Sequence, residues 1–258
     1  MSYWQERIAK TQTALTNKSI KETEAQLTRY YARAMKKAIA EFEATYNKLL
    51  TTVADGNTPT PADLYKLDKY WEMQGQLKAE LQKLGEKQIV LLSEKFEKQF
   101  FQIYNSIALP SGAAYGTISQ EAVVQMINSI WVADGKSWSA RIWENTEKLA
   151  ETLNEELLHC VTTGKQSTHL KTLLQERFNV SYSQADSLTR TELAHIQTEA
   201  AKKRYTDYGI KEVEILADED ERRCEICGKL HEKRYPIGAA IPIPAHPRCR
   251  CCIVPVVD

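Results

Sequence analysis

Apolar residues recur at a helical spacing along most of residues 1–208. The clearest case is 19–54, where the spacing predicts one amphipathic helix. Its apolar face carries Leu27, Tyr30, Tyr31, Ala34, Met35, Ala38, Ile39 and Phe42. Ser19 and Glu22 stand three residues apart, as in a capping box, so we expect the helix to begin at Ser19. The turn-forming residues at 55–57 predict its end.

A second long helical pattern follows this turn. Thr60-Pro61 predicts its start, because proline is favoured at the first helical position. The pattern continues to about Leu109, and Gly75 and Gly85 are the positions where it is open to a break. Long amphipathic helices of this kind pack against each other or against a partner assembly.

Beyond Leu109, residues 110–116 predict a break and a domain boundary. Shorter helical patterns follow at 119–131, 138–161, 167–178 and 184–208. Ser167 and Ser183 are the expected N-caps of the last two helices, and Gly209 is expected to end the final one.

The character of the chain changes after Gly209. Residues 211–215 alternate polar and apolar side chains, which predicts a half-buried strand. Five of the eight prolines then follow, from position 236 onward, and they disfavour a helix there. Residues 253–257 predict a short edge strand.

Charge does not indicate a partner at the level of the whole chain. Lys and Arg together number 34, and so do Asp and Glu, so the formal net charge is zero. A global basic field is therefore excluded, and a DNA contact would need a local patch. No apolar run reaches the roughly 20 residues of a membrane span, and the N-terminus lacks an apolar signal core. We expect a soluble protein without a membrane span, made in the cytoplasm.

Five of the six cysteines lie within the last 35 residues. This clustering favours a metal site over a disulfide framework, which would spread cysteines along a short secreted chain. Cys160 stands apart on a predicted helix, and we interpret it as a small buried apolar residue.

The clustered cysteines and one histidine form two pairs with the two-residue gap of metal-binding knuckles. The first knuckle is Cys224 to Cys227, and the second knuckle is His246 to Cys249. Together they supply three thiolates and one imidazole, which complete a closed tetrahedral site. The spacing therefore predicts one structural zinc ion per chain, which would fold a proline-rich tail too short for a large core.

More candidate ligands are present than the four that zinc takes. Cys251 is placed to replace Cys249 or His246, and His231 lies in the loop between the knuckles. Matched spacing makes the two knuckles the preferred set. The alternatives to metal binding are reduced, unliganded thiols, or disulfides formed after release from the cell.

The predicted fold class is mostly α. Long amphipathic helices occupy region 1–110, a helical domain follows at 111–209, and a small zinc-stabilised α+β cassette ends the chain at 210–258.

The C-terminal motifs in combination resemble those of bacteriophage minor head proteins, the head-morphogenesis family that includes the Mu F-like proteins. The shared elements are the Cys-x-x-Cys pair at 224–227, the His-Pro-Arg-Cys-Arg-Cys segment at 246–251, a short apolar end and, upstream, Arg190, Thr191 and Glu192. The resemblance covers about residues 120–258. Cys252, directly after Cys-Arg-Cys, departs from the pattern.

This resemblance implies a low-copy component inside the phage head, made in the host bacterial cytoplasm. It also implies association with the portal protein and other capsid proteins, and a role in procapsid assembly and in DNA packaging or ejection. We therefore expect a virion protein that is not an enzyme. Zinc is its expected structural cofactor, and viral DNA, bound without sequence preference, is a candidate further partner.

Arg190, Thr191 and Glu192 are open to a catalytic interpretation, because some proteins with this module carry toxin or transferase domains. Successive helical residues project about 100° apart, so the three side chains cannot meet at one substrate atom. We favour a structural role, in which Arg190 pairs with a carboxylate such as Asp186, or with the metal-site loop, and locks the helix to the cassette.

Two other function classes stay open. The first is a zinc-stabilised nucleic-acid-binding module, for which Arg248 and Arg250 beside the second knuckle are candidate phosphate contacts. A basic surface patch on the folded cassette would favour it. The second is a toxin-like transferase, which a deep pocket with convergent polar groups would favour.

Overall fold

The computed structural model describes residues 2–53, 59–109, 117–218 and 220–257. In these ranges the chain is mostly helical with a small antiparallel sheet near its C-terminus, which confirms the predicted fold class. The helices are α1 (Tyr3–Thr52), α2 (Pro61–Tyr65), α3 (Asp68–Ser106), α4 (Gln120–Ile127), α5 (Trp138–Thr163), α6 (Ser167–Asp207) and α7 (Glu225–Leu230). The strands are β1 (Glu212–Leu216), β2 (Arg234–Pro236) and β3 (Cys252–Pro255).

Helix α1 begins sixteen residues before the predicted start at Ser19, so that prediction is wrong. Its capping box is Ser2 and Gln5: the Gln5 N–H donates to Ser2 Oγ (3.3 Å), and the Ser2 N–H donates to Gln5 Oε1 (2.8 Å). The early turns were missed because several of their buried positions, such as Gln12 and Thr16, are polar. The predicted end at 55–57 lies outside the described residues.

The second long helical pattern is interrupted between Tyr65 and Asp68, and not at Gly75 or Gly85. Pro61 does begin a helix, and Thr60 caps it in a capping box with Asp63. That helix ends at Tyr65, and α3 then runs without interruption through Gly75 and Gly85.

The later helices agree with the prediction in part. Helix α5 begins at Trp138 as expected, whereas α4 is shorter than 119–131. Helix α6 is continuous, so Ser183 is an interior residue and not an N-cap. Gly209 does end α6, with a φ of 71°. It forms a Schellman motif, in which the N–H groups of residues 209 and 210 donate to the carbonyls of residues 206 (2.9 Å) and 205 (3.0 Å).

The described residues fall into two compact units. The first unit takes those within 1–24, 91–138 and 187–258, and the second unit takes those within 25–90 and 139–186. The three consecutive regions expected from the sequence, 1–110, 111–209 and 210–258, stay a prediction. The proposed boundary at 110–116 lies outside the described residues.

The second unit has an apolar core built from α1, α2, α3, α5 and α6. Its most buried large side chains include Phe42, Leu64, Met73, Leu153 and Phe178. Cys160 is fully buried in this core, which confirms its interpretation as a small apolar residue.

Gly85 of α3 lies against the indole of Trp143 within the second unit. A β-carbon at Gly85 would stand 2.6 Å from a ring carbon of Trp143, closer than real contacts allow. We expect Gly85→Ala to cost about 1–3 kcal/mol of unfolding free energy, because the packed ring must move. Gly75→Ala, with nothing described within 4 Å, is the control and should stabilise α3 by about 0.5–1 kcal/mol. Urea denaturation of both variants measures the difference, and a stabilised Gly85→Ala protein would contradict this packing.

The sheet belongs to the first unit, and its strand order is β2-β1-β3, antiparallel throughout. Strand β1 is the predicted 211–215 strand, shifted by one residue to 212–216, and β3 is the predicted edge strand, shifted to 252–255. Four of the five β1 residues are buried, because β1 is the central strand, so the prediction of a half-buried strand is wrong. The register pairs Leu216 with Cys252 and Glu214 with Val254. The sheet therefore places the end of the cysteine-rich segment beside the central strand.

Buried polar side chains fasten β3 to two helices of the first unit. Gln12 of α1 donates from Nε2 to the Tyr205 hydroxyl (3.0 Å) and to the carbonyl of Ile253 (3.0 Å). Tyr205 of α6 also donates to the Ile253 carbonyl (3.0 Å). Because Gln12 and Tyr205 are fully buried, these bonds fix the strand in the core.

Candidate metal centre

The first knuckle is the start of a helix and not a simple turn. Cys224 is the N-cap residue of α7, and its sulfur accepts the backbone N–H of Cys227 at 3.4 Å. The first turn of α7 thus brings the sulfurs of Cys224 and Cys227 to one side, and the backbone N–H of Cys227 points at the Cys224 sulfur.

The second knuckle is a loop that contains a left-handed residue. Arg248 has a φ of 62°, and the Cys249 N–H donates to the His246 carbonyl at 3.2 Å. This tight turn carries the His246 ring and the Cys249 sulfur to the first knuckle. The ring is oriented by Nδ1, which lies 2.8 Å from the Pro247 carbonyl and is a donor there when Nε2 is the metal-facing nitrogen.

The two knuckles bring their donor atoms close to one another. The sulfurs of Cys227 and Cys249 are 3.8 Å apart. His246 Nε2 is 3.0 Å from the Cys227 sulfur and 3.2 Å from the Cys224 sulfur. Two thiolates on one zinc ion, each bound at about 2.3 Å in tetrahedral geometry, lie about 3.8 Å apart. The cluster can therefore hold a metal ion.

The donor atoms form two overlapping groups that share Cys227. One group is Cys224, Cys227 and His246, and the other is Cys227, Cys249 and Cys251, with donor atoms within 4.8 Å of one another in each. All four preferred ligands and the reserve Cys251 are thus brought together. His231 belongs to neither group, and its Nδ1 instead accepts the Ala217 N–H at 3.2 Å. Which four residues bind stays a prediction.

Hydrogen bonds and burial shift the pKa values of the four clustered thiols in opposite directions. A hydrogen bond from Cys251 lowers the pKa of Cys249 to about 5 and raises that of Cys251. Burial raises the pKa of Cys227 to about 12, whereas the backbone N–H of Cys227 lowers that of Cys224. A bound cation releases the remaining protons, so metal affinity rises with pH.

An ion-pair fork closes the loop that leads into the first knuckle. Arg250 donates to both carboxylate oxygens of Asp220, at 2.6 and 2.5 Å, and lies 3.0 Å from a carboxylate oxygen of Asp218. Hydrogen bonding by Arg250 lowers the pKa of Asp220 to about 2. This bidentate contact joins the segment before Cys224 to the segment after Cys249.

The first unit is contacted at three different places by the side chains of Arg190, Thr191 and Glu192. Arg190 pairs with Glu24 at 3.0 Å, and Glu192 accepts a hydrogen bond from the Trp131 indole at 3.0 Å. Thr191 accepts the backbone N–H of Arg248 at 3.0 Å, inside the second knuckle. The expected contact between this helix and the metal-site loop is present and includes Thr191, while the pairing of Arg190 with Asp186 or with the loop stays a prediction.

Thr191→Val should loosen the second knuckle without changing any ligand. The variant keeps the side-chain shape but loses the acceptor for the Arg248 N–H, a contact outside the ligand set that orients the loop. Losses of this kind weaken metal binding by about 10–100-fold, so we expect at least tenfold here. Competition with a chelator measures the affinity. Thr172→Val, which removes a hydroxyl bonded to the Thr168 carbonyl in the second unit, is the control, and equal affinities would contradict the role of Thr191.

The buried His195 stacks on the half-buried Trp131, a pairing that no sequence motif marks. Their rings stack with centroids 4.3 Å apart, and His195 is 8% exposed. Its Nε2 atom is buried and has no hydrogen-bond partner among the described residues. Burial, followed by the charge of Lys202, lowers the pKa of His195 to about 4.

Comparison of the chain with models of protein families, with curated proteins and with solved structures finds no match. Among the described residues, no helix combines the length and the apolar character needed to cross a membrane. The fold and the site define a mostly helical protein whose C-terminal end carries a cysteine and histidine cluster able to hold a metal ion.

Proposed function

We propose that the cluster binds one zinc ion and that this ion folds the C-terminal cassette. The donor set supports zinc, since clustered thiolate and imidazole donors suit this ion. A set of four protein ligands leaves no open coordination position, so the role of the ion is structural. The zinc site would fix a segment whose regular structure is limited to one short helix and short strands.

The whole protein, in this proposal, is a phage minor capsid protein that acts in head morphogenesis. It would be a low-copy component inside the virion, made in the host cytoplasm, that associates with the portal and assists procapsid assembly and DNA packaging or ejection. The observation that carries the proposal is the hydrogen bond from Arg248 to Thr191. It joins the two motifs on which the family resemblance rests, so these distant segments act as one structural element.

A structural role is favoured over catalysis by the directions of the motif side chains. Arg190, Thr191 and Glu192 contact Glu24, Arg248 and Trp131 respectively, and do not converge on a common point. The residues that resemble the family therefore stabilise the first unit and its cassette, as a docking protein requires.

Co-expression with a phage portal protein, taken from the same genome if a portal gene lies beside the gene for this chain, tests the proposal. The two proteins should co-purify, and mass spectrometry of purified phage heads should detect this chain at a few copies per head. Failure to co-purify, together with absence from purified heads, would reject the capsid role while leaving the metal site unaffected.

A further inference from the structure

The outer face of α1 carries a run of cations without a carboxylate. Between residues 25 and 40, four side chains are basic and none is acidic. All four are exposed, and their spacing places them on one side of the helix, since residues four, seven and eight apart share a face. They are Arg29, Arg33, Lys36 and Lys37.

A stretch of α3 runs antiparallel to this part of α1. Lys87 Nζ lies 5.8 Å from the ring centroid of Tyr30, and Lys37 pairs with Glu80 at 2.6 Å. The Tyr30 ring leaves the charge of Lys87 in place, because a cation–π contact attracts an ammonium group without neutralising it. Lys83 lines a groove between the two stretches together with Lys37. The two stretches form one surface, the basic face, which consists of Arg29, Arg33, Lys36 and Lys37 of α1 and of Lys83 and Lys87 of α3.

Salt bridges leave much of the basic face unpaired. Glu80 lies 2.6 Å from Lys37 and 3.6 Å from Lys83, so two ammonium groups share one carboxylate. Among the described residues, the other three cations of α1 take part in no ion pair. Their charge is therefore available to a partner in solution.

The neighbouring charges do not cancel this excess. The stretches 25–40 and 76–90 together contain seven Lys and Arg side chains and two Glu side chains, a net charge of +5 in a chain whose formal charge is zero. Beyond the first stretch, Glu41 is bound by Lys69 at 2.8 Å, and Glu43 is half-buried. The basic face is thus a local patch of positive charge that the balance of the whole chain conceals.

Helix α6 packs against the other side of α1 and leaves the patch intact. The Tyr182 hydroxyl lies 3.1 Å from that of Thr28. In the part of α6 that precedes Tyr182, Arg177 is bound by Glu156 at 2.6 Å. The two exposed charges of the same part have opposite signs, and they are Lys171 and Glu176.

The composition of the basic face fits a rigid polyanion. Ala32 and Ala40 are exposed beside the cations of α1 and, being small, do not hold a partner away. No large apolar side chain between residues 25 and 40 is exposed, whereas a helix that inserts into a membrane surface needs such side chains. Each strand of B-DNA carries one charge per roughly 3.4 Å, and α1 rises about 12 Å from Arg29 to Lys37. The face can therefore meet several phosphates of a duplex at once.

We propose that the basic face binds the backbone of double-stranded DNA without sequence preference. The cations displace condensed counterions from the phosphates, and the release of these ions drives binding. The face belongs to the second unit and not to the cassette with Arg248 and Arg250, the candidate phosphate contacts expected from the sequence. It depends neither on the metal ion nor on the portal, so its failure would leave both of those proposals standing.

The test measures binding of two short DNA duplexes of unrelated sequence to the full-length, metal-loaded protein. Fluorescence anisotropy at several salt concentrations gives the affinity and the slope of log K against log salt. The triple variant Arg29→Gln/Arg33→Gln/Lys36→Gln should lower the affinity at least about tenfold and the slope by about three, because each lost phosphate contact releases about one counterion fewer. Glutamine forms helices about as well as these residues, and circular dichroism checks that the fold is retained.

Two further variants separate the basic face from net charge and from charge type. Lys148→Gln/Lys211→Gln/Lys233→Gln removes three exposed lysines of other segments, and this matched control should keep the wild-type slope. Arg29→Lys/Arg33→Lys keeps the charges of the face and should also keep the slope, since a phosphate contact of this kind depends on charge.

Each outcome decides the proposal. A loss confined to the triple variant, equal for both duplexes and without a change in metal content, supports it. Failure of the wild-type protein to bind either duplex overturns it, as does an equal loss in the control or a strong preference for one duplex. Phosphatidylserine vesicles and polyglutamate are the competing probes. If either binds through the basic face more tightly than the duplexes do, the partner is not DNA and the proposal is wrong.

Discussion

Cys227→Ser is expected to abolish metal binding and to unfold the cassette. Cys227 is buried and is the one residue that both donor groups share, so its loss leaves only two donor atoms in each group. If zinc is present at about a thousand times its dissociation constant, its loss removes about 4 kcal/mol of stability from the folded state. Because β3 is hydrogen-bonded to α1 and α6, the loss of stability should extend beyond the cassette to the rest of the first unit.

Elemental analysis should show the metal content falling from about one ion per chain to none. Hydrogen exchange resolved by peptide should show β1 and β3 losing protection, while the helices of the second unit keep theirs. Cys160→Ala is the matched control, since it removes a buried cysteine of the second unit and should leave the metal content unchanged. A Cys227→Ser protein with full metal content would show that the knuckles are not the ligand set.

The candidate donor cluster could be predicted from the sequence because a knuckle is a local feature. A two-residue gap brings two donor atoms together whatever the surrounding fold, and two such gaps meet on one ion. The spacing did not reveal that Cys224 would cap a helix, since α7 is only six residues long and begins inside the knuckle. The spacing preferred Cys249 to Cys251, and the structure places both within reach of Cys227, so this choice stays a prediction.

The helix limits were harder to predict because part of the core is polar. Hydrophobic periodicity locates an element only when its buried face is apolar, as in the second unit. In the first unit, Gln12, Thr16 and Gln197 are buried and bond to one another or to the backbone, so α1 carries no apolar stripe there. The continuity of α6 through Ser183 was missed for a related reason: a residue that favours an N-cap is tolerated in a long helix held by tertiary packing.

Other contacts between distant segments could not be predicted from the sequence. Arg222 and Arg223 look like part of an ordinary charged turn until the knuckles bring Arg248 beside them. The stack of His195 on Trp131 likewise joins α6 to the segment that follows α4, which no local pattern marks. Such pairings depend on the packing of whole elements, and single-sequence patterns do not encode it.

His195 should make the protein less stable as the pH falls from 6.5 to 4. Its pKa is 6.5 in the unfolded chain and about 4 in the folded one, so the unfolded state binds the proton more readily within that window. The expected loss is about 3 kcal/mol by pH 4, with no effect of this residue above the window and no further change below it. The charged groups nearest along α6 are Glu192, Glu199 and Lys202, of which Lys202 adds to the effect of burial.

His195→Phe should remove this part of the pH dependence while keeping a ring against Trp131. Denaturant unfolding at pH 7.5, 5.5 and 4.5 measures the slope in the variant and in the wild type under identical metal concentrations. The metal site also weakens as its donors gain protons, but that contribution is common to both proteins and cancels in their difference. His159→Gln, an exposed histidine of α5, is the control and should retain the wild-type slope. Parallel slopes for His195→Phe and the wild type would mean that the imidazole gains a proton as easily in the folded state as in the unfolded one. That result would contradict the lowered pKa that we attribute to the burial of His195, whose Nε2 atom has no partner among the described residues.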